Sequence, residues 1–223
     1  MTATNADQSS QHGVASATAE RLLETAERLF AEEGIDSVSL NKIRKEAGAR
    51  NASAMQYYFG DRRSLVVAIL ERRTAVINAR RLALLADIGK LQGEPAIRTI
   101  VQALVLPFAE QMTDANSVRY YVRFVDQVYR APQLEFSSLL SERFASGIRQ
   151  AIRELELHLK HLPRKKVHAR FHVVQGLIIH ALADRERRML WGSQKRTSAS
   201  SEAFNGLLVD MCVGALMAPA SSA

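Results

Sequence analysis

SLNKIRKEAGARNASAMQYYFGDRRSL, residues 39–65, decides how the rest of the chain is read. Ser39 is suited to cap a short helix whose inner face carries Leu40, Ile43 and Ala47, and Gly48 ends it. After a turn, Asn51 can cap a second short helix. Met55 faces inward there, while Ala52, Ser53, Ala54 and Gln56 leave an uncluttered outer face. Two short helices joined by a tight turn offer the second helix to the major groove of DNA, which admits one helix with a polar, short-sided face. Tyr57 and Tyr58 follow, placed to donate hydroxyl hydrogen bonds to phosphate oxygens. The charge agrees: Lys42, Arg44, Lys45, Arg50, Arg62 and Arg63 stand against Glu46 and Asp61. The helix opened by Asp61 adds free backbone N–H groups at its start, a favourable place for phosphate.

Upstream, TAERLLETAERLFAEEG (residues 18–34) sets Leu22, Leu23, Ala26, Leu29 and Phe30 on one helical face. Thr18 is a plausible N-cap, and Gly34 supplies a left-handed stop. Residues 18–38 are acidic, so positive charge is concentrated at the turn and second helix. Residues 1–17 are small and polar and are expected to be a disordered tail. Their lack of Lys and Arg argues against contact with DNA. Downstream, a long helix from Ser64 to about Ile88 is followed by helices over 95–112, 116–130, 136–162, 164–190 and 201–218. Pro132 and Pro163 act as stops. No alternating strand pattern of useful length occurs. The pattern predicts an all-α chain with a disordered tail (1–17), a helix-turn-helix domain (18–64) and a larger helical domain (65–223).

The 223 residues carry a formal charge of +7 and an isoelectric point near 9.8, which suits a polyanionic partner. The single Cys212 cannot form an internal disulfide and reads as buried and inert. No signal peptide and no membrane span are recognisable, so a soluble cytoplasmic protein is expected. An enzyme is not expected: the sequence has no Gly-rich phosphate loop, no nucleophile elbow, no HExxH and no Cys/His cluster. A helical adaptor that binds only protein would leave the basic turn and paired tyrosines unexplained.

Residues 19–65 resemble the DNA-binding domain of the TetR family of bacterial regulators. The resemblance rests on the apolar helix ending in Phe30 and Gly34, Ser39 with Ile43, Ala47-Gly48, and Tyr57-Tyr58-Phe59-Gly60-Asp61-Arg62 with Leu65. Three positions depart from the usual pattern. The interval from Gly48 to Phe59 is one residue longer, at Ala49 or Arg50. Tyr58 replaces the usual histidine, and Arg62 the usual lysine.

The resemblance implies that Phe59 and Leu65 are core and that Ala52, Ser53, Ala54, Gln56 and Tyr57 face the groove. Tyr58, Arg62 and Ser39 would hold phosphates, and Arg50 would meet either a guanine edge or a phosphate. With Asn51, these make up the expected DNA-binding set. The resemblance also implies a C-terminal domain that binds a small apolar or amphipathic effector and forms a homodimer through its last two long helices. The chain would then be a repressor released from a palindromic operator, without a cofactor. Candidate dimer residues are Val173, Val174, Leu177, Ile178 and Ala181, with Leu207, Leu208, Met211 and Leu216. Candidate effector contacts are Phe108, Met112, Tyr121, Phe124, Val128, Phe144 and Phe171. His168 and His172 have the i, i+4 spacing of a metal pair. They follow Arg164, Lys165 and Lys166 with no carboxylate close in sequence, so they are read as interface histidines and no metal site is expected.

Overall fold

A computed structural model describes residues 4–51, 53–112, 120–139, 145–191 and 197–219, with the side chains of 4–16, 137–138, 191 and 198 outside that description. The described residues form helices and turns, with no strand. The N-terminal elements are α1 (Thr4–Glu33), α2 (Leu40–Glu46), α3 (Ala54–Tyr58) and α4 (Arg62–Leu85). The remainder comprises α5 (Gly93–Ala109), α6 (Tyr121–Tyr129), α7 (Phe136–Leu139), α8 (Ser146–His158), α9 (Arg164–Trp191) and α10 (Ser198–Met217). Short 3₁₀ turns lie at Ile88–Lys90, Glu110–Met112 and Pro132–Leu134.

Local chemistry accounts for most of the boundaries. Gly34 adopts φ +90° and donates its N–H to the Phe30 carbonyl, closing α1 as a left-handed cap. The Ser39 hydroxyl accepts from Lys42 N at 3.1 Å, and the Asp61 carboxylate accepts from Ser64 N at 2.7 Å. That bond to the Ser64 backbone holds the Asp61 carboxyl below its ordinary range. Thr18 departs from expectation: it lies inside α1, where its hydroxyl accepts from Arg21 at 3.2 Å. The expected tail over 1–17 falls almost wholly on residues or side chains outside the description. The helix expected over 136–162 appears as α7 and α8, and residues 140–144 between them are not described.

One continuous apolar core runs from Leu22 and Phe30 through Phe124 to Leu216. Its hinge point is the packing of α1 on α6, where Phe30 and Phe124 stack with ring centroids 6.2 Å apart. α4 and α5 pack together, α8 lies against both, and α10 lies on α5 and α9. α6 also packs on α9. Cys212 is fully buried in α10, and burial pushes its thiol up to about 11. No described helix is long and apolar enough to cross a membrane.

Candidate nucleic-acid interface and internal cavity

α3 has only five residues, so it cannot hold itself by helix propagation. It is fixed by burying Ala54 and Met55 and by two turn contacts. The Asn51 side chain accepts from Ser53 N at 2.9 Å, and Ala49 tucks into the core with its carbonyl receiving Arg44 Nη1 at 2.9 Å. Asn51 thus shapes the turn before α3 instead of capping the helix. The extra turn residue lengthens this connection and delays the helix start to Ala54.

With two residues turned inward, the remaining face of α3 is outward. Ser53 and Gln56 are exposed, and Tyr57 is 79% exposed. Its ring lies edge-on to Tyr58, centroids 5.0 Å apart. Tyr58 is half-buried against Phe59 and the core, so the adjacent tyrosines divide into one outward and one inward ring. A cleft lined by Thr18, Arg21, Arg50, Asn51, Tyr57 and Tyr58 separates α3 from α1. Sequence reasoning missed Arg21 there, because its approach to α3 depends on how α1 crosses.

Several expected DNA-facing residues sit differently. Ala54 is buried, because a five-residue helix needs it as an anchor. Ala52 lies outside the described residues. Arg62 donates to the carbonyls of Ile35, Asp36 and Val38 at 3.0, 3.3 and 3.1 Å. Its planar fork joins the α1–α2 turn to the start of α4 instead of standing free for phosphate. Ser39 is exposed, with its oxygen engaged as the α2 cap.

The cluster of positive charge is likewise partly consumed inside the protein. Lys42 pairs with Glu33 at 2.6 Å, and Arg44 bonds Asn41 as well as Ala49. Arg63 donates to the Leu134 carbonyl at 3.0 Å. Beside it, the Gln133 amide donates to both Asp36 oxygens at 2.9 and 2.8 Å. The Pro132–Leu134 turn is therefore clamped to the helix-turn-helix. Lys45 and Arg50 remain exposed, with no ion pair among the described residues.

In the C-terminal half, a cavity of about 90 Å³ opens between α4, α5, α6, α8 and α9. Of the candidate effector contacts, Phe108 and Tyr121 line it. Phe124, Val128, Met112 and Phe171 are core instead and do not line it; Phe124 is turned toward Phe30 on α1. Phe144 lies outside the described residues. Unforeseen contributors include Leu70, Thr74, Ile77 and Arg81 of α4, with Phe136, Ile148, Gln175, Ile178 and Ile179. Only a helical stripe on α4, continuing past the DNA-binding half, signalled them.

Of the expected dimer residues, Val173, Leu177, Leu207 and Met211 are exposed, the first and last at 67% and 61%. Val174, Ile178, Leu208 and Leu216 point inward, since each helix must also cover its own core. His168 meets the Glu156 carboxylate brought over by α8, which also takes Arg164 at 2.7 Å. His172 turns to the Tyr129 hydroxyl at 3.4 Å. No group of three ligating side chains gathers among the described residues.

Comparison with known proteins places these features. Residues 22–69 match the family described as bacterial regulatory proteins, tetR family. Residues 102–215 match the tetracyclin repressor-like, C-terminal domain. An uncharacterized HTH-type transcriptional regulator of Mycobacterium tuberculosis, in strains CDC 1551 / Oshkosh and ATCC 25618 / H37Rv, is 35% identical over 83 residues. That segment is 37% of this chain and 39% of the relative, so the likeness spans about two fifths of the relatives' length. A solved structure described as a candidate TetR-family regulator, from Mesorhizobium loti MAFF303099, is 15% identical with a TM-score of 0.48. It covers 90% of this chain and 96% of that one. The chain belongs to the tetR family of bacterial regulatory proteins, DNA-binding transcriptional regulators of the helix-turn-helix class and not enzymes.

Proposed function

We propose that the protein is a cytoplasmic homodimeric repressor that reads a palindromic operator through α3 and releases it when a small molecule occupies the internal cavity. The observation that carries the reading is the outward face of α3. Ser53, Gln56 and Tyr57 are exposed on a helix anchored from behind by Ala54 and Met55, with Arg50 alongside. Ser53 and Gln56 have the reach and polarity for base edges. Arg50, Asn51, Tyr57, Tyr58 and the Ser39 hydroxyl border the same surface and would position it on the backbone. Arg62 contributes by holding the turn.

Dimerisation is supported by the unpartnered apolar face of Val173, Leu177, Leu207 and Met211 on α9 and α10. A twofold axis there would separate two α3 helices by about 34–36 Å, one DNA turn. Coupling is supported by α4, whose first turn lies in the helix-turn-helix and whose Leu70, Thr74, Ile77 and Arg81 line the cavity. The two functional units, 18–64 and 65–223, thus share one helix. The Arg63–Leu134 and Asp36–Gln133 contacts give a second connection, since Phe136 beyond that turn also borders the cavity. Release requires the effector to prefer the spacing that does not fit DNA.

Selection of bound sequences from a random duplex pool tests the reading. A recovered palindrome supports it. No enrichment at low salt from a folded protein refutes it and favours a protein-binding role. Gln56→Ala and Ser53→Ala should change base preference by about 1–3 kcal/mol.

A further inference from the structure

Arg81 sits on α4 with its side chain 6% exposed and borders the cavity. Its Nε donates to the Ala103 carbonyl at 3.0 Å. A guanidinium carries five N–H donors, and the Nη groups of Arg81 have no hydrogen-bond partner among the described residues. No described carboxylate lies within 4 Å of it. The other buried arginine and the half-buried one nearby are treated differently: Arg123 meets Glu186 at 3.2 Å, and Arg73 meets Glu27 at 3.7 Å. A buried cation without an anion is costly to keep. Burial lowers Arg81 to about 10, which leaves it charged at neutral pH.

The geometry around this side chain is held from several directions. Gly147 of α8 lies against its stem, where an added Cβ would come 3.0 Å from Arg81 Cδ and 2.8 Å from Asn78 Oδ1. Gly147 N donates to that same Asn78 oxygen at 2.8 Å. Two turns back along α4, Thr74 donates its hydroxyl to the Leu70 carbonyl at 2.6 Å. The Thr74 oxygen is then free to accept from the Tyr121 hydroxyl, 3.4 Å away. Gln175 supplies the remaining polar side chain, and the rest of the wall is aliphatic or aromatic, including Leu104, Phe108 and Phe136. Among the described residues, no acidic one lines the cavity.

We propose that the cavity takes a small organic monocarboxylate, with its acid group on the Arg81 fork and its apolar body against Phe108, Phe136 and Leu104. The planar fork matches two carboxylate oxygens. An amine would meet an unpaired cation, and a neutral molecule would leave that cation uncompensated. The volume, several times what one ordered water needs, favours a short apolar body. This rests on the effector-cavity reading above and names the chemistry that the cavity selects.

Calorimetric titration of the full chain, without DNA, tests it with benzoate, hexanoate and octanoate against their methyl esters and the matching alcohols. At least one acid should bind about tenfold to a hundredfold more tightly than its ester, the range for one charge-assisted hydrogen bond. Acetate and inorganic phosphate, which lack the apolar body, should bind weakly. Arg81→Met should remove the preference for acids while melting at or above the parent temperature. The proposal is overturned if no acid binds, if esters or alcohols equal the acids, or if acetate binds as tightly as the best of benzoate, hexanoate and octanoate. It is also overturned if Arg81→Met keeps the acid preference or melts well below the parent. DNA release is read separately. An acid that binds through Arg81 without releasing DNA would sink effector release and leave the carboxylate site standing. A neutral molecule that releases DNA would do the reverse.

Discussion

Arg62 and Arg81 of α4, nineteen positions apart by the numbering, illustrate how differently the two ends of this molecule handle charge. At the DNA-reading end, Arg62 spends its fork on three backbone carbonyls. At the cavity end, Arg81 has one carbonyl, and its Nη groups have no described partner. The first end uses cations as structural ties and leaves mostly neutral polar groups on its outward helix. The second keeps a charge in a largely apolar wall, with no carboxylate against it among the described residues. A basic sequence segment is therefore a poor measure of how much positive charge reaches the surface.

The comparison is most severely tested at the junction between the ends. Phe124→Ala removes the ring stacked on Phe30 and should cost about 3–5 kcal/mol. Because one core spans both halves, calorimetry should show a single transition at lower temperature. Two separated transitions would mean that the DNA-reading end is an independent unit.

Next in size is the proton linkage of the buried Arg123–Glu186 pair. Burial pushes the Glu186 carboxyl up to about 7 from its ordinary 4.5, against the pull of Arg123. Between those values the folded state binds more protons than the unfolded chain, so this group's contribution to stability falls as pH rises through that window. The fall should total about 3 kcal/mol. Denaturant melts across this range should show the parent losing about that much stability relative to Glu186→Gln; parallel curves would contradict the shift.

Arg62→Ala should cost about 2 kcal/mol of stability through its lost carbonyl bonds, with the salt dependence of DNA binding nearly unchanged. A salt slope reduced by about one contact would instead show that the fork turns to phosphate on binding. Smallest in stability is Tyr57→Ala, expected within about 0.5 kcal/mol because the ring is exposed. Its DNA affinity should nevertheless fall, as measured by filter binding at fixed salt.

What could be read from the sequence follows from the range of the interactions. Phe30 with Gly34, Ser39 and Asp61 act within a few residues, and each appears where spacing places it, whereas α8 ends at His158, ahead of the stop expected at Pro163. The helix-turn-helix, the all-helical class and the inward Met55 follow in the same way. Arg62, Arg63 and Arg81 find partners 22 to 71 positions away, where no local pattern reports them. Bulky residues of the middle helices are the sequence's pointer to a cavity, but it opens between α4, α5, α6, α8 and α9. Phe124 and Val128 turn away from that gap, whereas Thr74 and Arg81 turn into it. Ala54 misled for a related reason: its small size suits a groove-facing surface and a tight anchor equally.

The buried Cys212 has a practical consequence for following motion. Its thiol is enclosed and only weakly ionised at neutral pH, so it should stay silent toward maleimide and methanethiosulfonate reagents under native conditions. A second cysteine introduced by Tyr57→Cys would then be the sole reactive thiol of the chain. In the homodimer proposed above, a spin label attached there would report the separation of two reading heads, before and after the proposed carboxylate is added, without altering the native thiol.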